Sequence, residues 1–324
     1  MKTITLEEHY VSPSFLDGPG KGLKEQARNP ESYIGKLFNQ LCSLGDKRIS
    51  EMDAAGIDTQ VLSLNSPGVE QLEAEEAGRI ARETNDFLAD AIENHPQRFA
   101  GFATLPTADS DAAAAELERT VRDYQFKGAI INGHIHERYL DDKNFWPILE
   151  RAEVLDVPIY LHPTQPPKAV IAASYSGFDP AVTSALTGAG WGWHIETAIH
   201  VIRMILGGVF DRYPRLQIII GHMGETLPFM LQRMDRTLNM DATKLKRPVS
   251  AYLRENVHYT VSGLNYTSVF LNLLLEVGVD RIMFSVDYPY ASMAQGRDFL
   301  NHLPVSAADK ERIAHGNAEK LLRI

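Results

Sequence analysis

The stretch DRYPRLQIIIGHMGETLPFMLQRMDRT, residues 211–237, holds the unit from which the rest of the chain can be read. Residues 217–222 begin as an almost unbroken β-branched run, as a strand buried on both faces requires. The run ends on the polar turn Gly221-His222-Met223-Gly224-Glu225, and a helical pattern follows over residues 226–237. Strand, polar turn, helix is the repeating element of a parallel α/β fold.

Working outward, the same grammar recurs. Short apolar runs lie at residues 4–9, 59–65, 98–106, 128–133, 158–163, 257–263 and 282–289. Helical patterns lie at residues 47–55, 72–94, 109–124, 144–154, 194–210, 267–277 and 307–322. Eight such units predict a (β/α)8 TIM barrel, with a doubly wound open sheet as the alternative arrangement. The chain, residues 1–324, reads as a single domain. A barrel needs about 250 residues, so about 70 remain for insertions. Three segments are candidates, at 10–44, 164–193 and 234–254. The second ends in GAGWGW and reads as a loop that covers a pocket or touches another subunit.

Composition narrows the function. The 42 Asp+Glu exceed the 32 Lys+Arg and leave a net charge of -10, which disfavours nucleic acid and anionic membrane surfaces as partners. No stretch approaches the roughly 18 apolar residues of a membrane span. The first residues, MKTITLEEHY, lack the apolar run of a secretory signal, and the expectation is a cytoplasmic protein. Cys42 is the single cysteine, so neither an internal disulfide nor a thiolate metal cluster can form.

In a barrel the chemistry stands at the C-terminal strand ends. The first run ends in Glu7-Glu8-His9, the fifth in His162-Pro163, the sixth in His222 with Glu225 beyond it, and the eighth in Asp287-Tyr288-Pro289. Alternation along the first strand puts Glu7 and His9 on one side and turns Glu8 toward the helices. Carboxylates and imidazoles from four strands thus converge on one cavity. Such a ring suits a hydrolytic or Lewis-acid centre holding zinc, manganese, iron(II) or magnesium. Weaker signals are read as structural: His134 and His136 as a solvated loop, His194, Glu196 and His200 as helix packing or a subunit contact, and DGPGKG at 17–22 as no phosphate loop.

These residues, together with LEEH, RISEMDAAGID, ETNDFLA, PQRFAGFATLP, FKGAIING, GGVFDRYPRLQIIIGHMGE, FSVDYPY and NAEKLL, resemble the amidohydrolase superfamily over nearly the whole chain. The resemblance is to its branch of nonoxidative decarboxylases, which includes the γ-resorcylate, 2,3-dihydroxybenzoate, 5-carboxyvanillate and aminocarboxymuconate semialdehyde enzymes. It implies one divalent ion, Zn2+, Mn2+ or Mg2+, held by Glu7, His9, His162 and Asp287. It implies Asp287, His222 and Glu225 as the catalytic groups, and His162, Arg233 and Tyr290 as contacts of a small aromatic carboxylic acid, with Arg233 alternatively at a subunit boundary. The implied assembly is a homodimer or homotetramer. The implied reaction is reversible CO2 loss from an ortho-hydroxybenzoate by protonation of the ring carbon. The same ring of groups could instead activate water to hydrolyse a lactone, ester or amide, or hold an ion without turnover.

Overall fold

The structure, a computed structural model, describes residues Met1–Ile324. Eight parallel strands appear in the predicted order: β1 Ile4–Tyr10, β2 Thr59–Leu64, β3 in two pieces (Phe99–Gly101 and Ala103–Thr104), β4 Ala129–Asn132, β5 Ile159–His162, β6 Ile218–Ile220, β7 Val257–Thr260 and β8 Ile282–Met283. Each pairs in parallel with the next. At the break in β3, Phe102 N donates back to Leu62 O while Ala103 N donates forward to Gly128 O, so one strand serves both neighbours. Closure between β8 and β1 is thin. It rests on a bridge between Leu6 and Ser285 and a hydrogen bond of 2.7 Å from His9 N to Tyr288 O.

The alternation of side chains divides the apolar residues into two cores. Ile4, Leu6, Val61, Phe102, Ile130, Tyr160, Ile219 and Met283 fill the barrel, and Ala318 and Leu322 close its floor. The opposite faces of the strands meet the helices in a larger cluster of 59 buried residues. With the barrel filled below by hydrocarbon, only the C-terminal end is left for polar groups.

The predicted helices form, with local differences. The last one, read as continuous, is divided into Ala307–Glu311 and Asn317–Leu322 by a π-turn at Arg312–Gly316, and Ile313 O of that turn accepts from Phe284 N at 2.9 Å. A helix at Met293–Asn301, capped by Ser292, was not anticipated. All three insertions fold into short helices. No helix is long and apolar enough to cross a membrane.

Candidate active site

Strict alternation along β1 would put Leu6 inside the barrel and Glu7 outside. The register against β2 instead slips between Thr5 and Glu8, and Glu7 adopts a left-handed φ of +64°. Leu6 and Glu7 therefore both face inward, Glu8 turns out, and His9 returns to the mouth. The two residues do share the mouth, through a bulge rather than through simple alternation. Gly221 makes room: a Cβ there would stand 2.5 Å from Glu7 Oε2.

Glu7 is fully buried, and its two oxygens differ. Oε2 accepts hydrogen bonds from Tyr160 OH and Ser262 Oγ, and Tyr160 OH lies 2.8 Å from Thr260 Oγ1. Oε1 receives no hydrogen bond and faces His162 Nε2 at 3.3 Å and His222 Nε2 at 3.6 Å. Burial pushes the Glu7 carboxyl up, but His222, His162 and His9 outweigh it and hold it below its ordinary range. Next to this oxygen, His9 Nε2 lies 3.2 Å from Asp287 Oδ1, and the His9 and His162 rings are 4.8 Å apart. Ligand atoms of Glu7, His9 and His162 all lie within 4.8 Å of one another.

A second cluster adjoins the first. Glu225 accepts from His222 Nδ1 at 2.7 Å and from His194 Nδ1 at 2.5 Å, one imidazole on each oxygen. His194 Nε2 donates to Ala189 O at 3.0 Å. Both ring nitrogens of His194 thus face oxygens. Burial depresses His222, but the Glu225 and Glu7 carboxylates override it and hold its imidazole well above the ordinary range. Its Nε2 points toward Asp287 Oδ2, 3.9 Å away. The sequence predicts helix packing or a subunit contact for His194; the structure sets its ring against Glu225 in place of helix packing, and the signal available in the sequence was its place directly after GAGWGW. Glu196 and His200 do pack, against Tyr139 OH and Leu140 N respectively.

The left-handed backbone recurs at His222, Met223, Glu225, Thr226 and Asp287. Side chains held in this region signal a shape imposed by the surrounding fold and found most often at functional sites.

Tyr290 stands at the mouth, its ring 5.7 Å from His9 and its OH donating to Asn65 Oδ1 at 2.6 Å. Trp193, from the second insertion, lies 6.5 Å from His162, so that insertion does reach over the pocket. Tyr33, from the first, lies 6.3 Å from Tyr290. Arg233 does not join them: it is exposed on the helix Leu227–Thr237, and its guanidinium makes no hydrogen bond or ion pair. His134 is buried and takes hydrogen bonds from Gln71 Nε2, while His136 is exposed beside Leu72 O; neither belongs to the clusters.

The family model described as amidohydrolase matches residues 39–324. The chain belongs to the amidohydrolase family. It is 37% identical to a γ-resorcylate decarboxylase of Polaromonas sp. over 99% of this chain and 98% of that one. A dihydroxybenzoic acid decarboxylase of Polaromonas sp., solved with manganese and the inhibitor 2-nitroresorcinol, is 36% identical over 99% of this chain and 97% of that one, with a TM-score of 0.90. The 5-carboxyvanillate decarboxylase of Novosphingobium aromaticivorans, solved with manganese and 3-methoxy-4-hydroxy-5-nitrobenzoic acid, is 34% identical over 100% and 97%, with a TM-score of 0.92. This amidohydrolase is a metal-dependent carboxy-lyase. Its residues fit a divalent ion on their own chemistry: an anionic oxygen, Glu7 Oε1, is buried without a donor, and only nitrogen and oxygen ligands surround it.

Proposed function

We propose that this amidohydrolase removes CO2 from an ortho-hydroxybenzoate, with Glu7, His9, His162 and Asp287 holding one divalent ion, manganese in the first instance. The observation that carries the reading is the line Glu225, His222, Asp287, which ends on an acid beside the metal-ligand cluster. When bound, the ion supplies the positive charge that stabilises an ionised hydroxyl beside the substrate carboxylate and fixes the ring.

The chain's own groups do the rest. Tyr160 and Ser262 hold Glu7 by one oxygen and leave the other free to bind. Tyr290, beside His9, and Trp193, beside His162, supply aromatic walls for the substrate ring, and His162 contacts it. Asp287 delivers a proton to the ring carbon that bears the carboxylate. The C–C bond then breaks, its electron pair restores the aromatic ring, and CO2 leaves. His222, oriented by Glu225, reloads Asp287 through the Nε2 to Oδ2 approach. One proton is consumed per turnover, and His194, only partly buried, stands on the solvent side of this trio.

Incubation with 2,6- and 2,3-dihydroxybenzoate, 5-carboxyvanillate and a lactone panel, following CO2 and ultraviolet absorbance, tests the reading. CO2 release from at least one hydroxybenzoate is expected; lactone cleavage without CO2 would overturn it.

The chain, 1–324, is taken to act as one domain and to assemble as a homodimer or homotetramer. Phe229, Met230, Leu271 and Leu275 are exposed on two helices that pack together, and Arg233 on the first belongs to that boundary rather than to its own pocket. A chain with one cysteine suits a reducing cytoplasm.

A further inference from the structure

Alternation along the first strand turns Glu8 toward the helices. It is fully buried, on the side of β1 that faces the helices. Its Oε1 accepts from Val286 N at 2.9 Å, and its Oε2 accepts from Tyr288 N and Gln60 Nε2, each at 3.3 Å. Val286 and Tyr288 flank Asp287, whose φ is +71°. A side chain of β1 thus holds the peptide on either side of the acid.

The grip extends to His9. Gln60 Oε1 accepts from Arg48 Nε at 2.7 Å, and Arg48 Nη1 donates to His9 O at 2.9 Å. Arg48 is itself fully buried, with its guanidinium 4.5 Å from the centre of the Tyr288 ring. Glu8, Gln60 and Arg48 therefore connect the backbone of His9 to that of Asp287. They do so where the barrel is weakest, since β1 and β8 share one bridge, at Leu6 and Ser285, in place of a ladder. The bulge in β1 lies next to that bridge, and with Glu7 turned inward Glu8 faces outward, where it contacts the backbone around Asp287.

We propose that Glu8 is a positioning residue for the decarboxylation: its carboxyl clamps the two peptide N–H groups flanking Asp287 and so sets Asp287 against Glu7 and His9 across the closure of the barrel. The proposal rests on the reading of Glu7, His9 and Asp287 as metal ligands.

The test compares wild type, Glu8→Gln, Asp287→Asn and Leu273→Ala as full-length, Co2+-loaded proteins. Gln keeps the shape but offers one acceptor, so one N–H beside Asp287 loses its partner. Glu8→Gln at full metal occupancy is expected to show altered Co2+ visible bands and a kcat reduced about 10- to 100-fold, the scale of a small misplacement of a reacting group. Leu273→Ala, a cavity in the outer helical layer, is expected to lower Tm at least as much while keeping the wild-type bands and kcat. Wild-type bands and kcat in Glu8→Gln overturn the clamp, as does a loss in Leu273→Ala of the same size. Should Glu8→Gln not fold, Glu8→Asp, too short to reach both N–H groups, carries the same expectation, and wild-type behaviour there is equally fatal. Failure of the ligand reading looks different: Asp287→Asn would then keep the wild-type Co2+ bands.

Discussion

Glu225→Gln isolates the trio beside the metal-ligand cluster. In the wild type, the two Glu225 oxygens take one imidazole each, from His222 at 2.7 Å and from His194 at 2.5 Å. Gln is the same shape but offers one oxygen and one NH2, so one imidazole N–H must face a donor. A hydrogen bond to a charged group contributes about 1.5–3 kcal/mol, and each 1.36 kcal/mol is a factor of ten in rate. If the bond orients His222 toward Asp287 only when both partners are in place, kcat should fall about 10- to 100-fold. KM should change little, because Glu225 is fully buried behind His222 and does not face the mouth. The assay is initial-rate CO2 release under saturating Mn2+, with metal content measured in the same sample and His194→Ala in parallel. His194→Ala removes the solvent-side partner alone and should be the milder variant. A Glu225→Gln enzyme within twofold of wild-type kcat at full metal content would refute the reasoning.

Other outcomes follow from the same geometry. Asp287→Asn should abolish turnover while most of the metal is retained, checked by metal analysis beside activity; wild-type-like activity would remove Asp287 from the acid role. Tyr160→Phe deletes a donor to Glu7 Oε2 and should weaken metal binding about tenfold, the effect of losing a group that orients a ligand, as read by competition with a chelating dye. Burial, with His134 and Arg203 adding to it, holds His200 down to about 3, and its Nε2 accepts from Leu140 N. Between that value and 6.5 the unfolded chain binds the proton that the folded one refuses, so this stability is complete above pH 6.5 and drains away as pH falls toward 3. At two pH units below 6.5 the loss is about 2.7 kcal/mol, and His200→Gln should flatten it in urea titrations at neutral and acid pH. An unchanged acid slope would assign the loss to other groups.

Much of this protein was legible in one dimension, for reasons specific to barrels. A strand sheltered on both sides must be apolar throughout, so QIII, PIYL and GAII announce themselves. A polar residue directly after such a run can stand only at the strand's C-terminal end, where the barrel opens. Glu7, His9, His162, His222 and Asp287 could therefore be placed at a common mouth without any contact being known. The loops resisted. His194 sits on a helix where Glu196 and His200 do pack, and periodicity has no means of separating one from the others.

The sequence by itself determined the order of strands and helices and the end of the barrel at which chemistry gathers, because both follow from which side chains hydrocarbon tolerates. The local backbone that brings these groups together was decided by tertiary structure. Glu7 and His9 share a side as alternation predicts, but with Leu6 also inside the barrel they reach the mouth through a bulge between Thr5 and Glu8, with a left-handed φ of +64° at Glu7. The union of Glu225 with His194 was likewise a matter of fold, since the two groups, 31 positions apart, are brought together by an insertion lying over the mouth. Local propensity reads a few residues at a time, whereas a bulge or a returning loop is selected by packing partners hundreds of residues away.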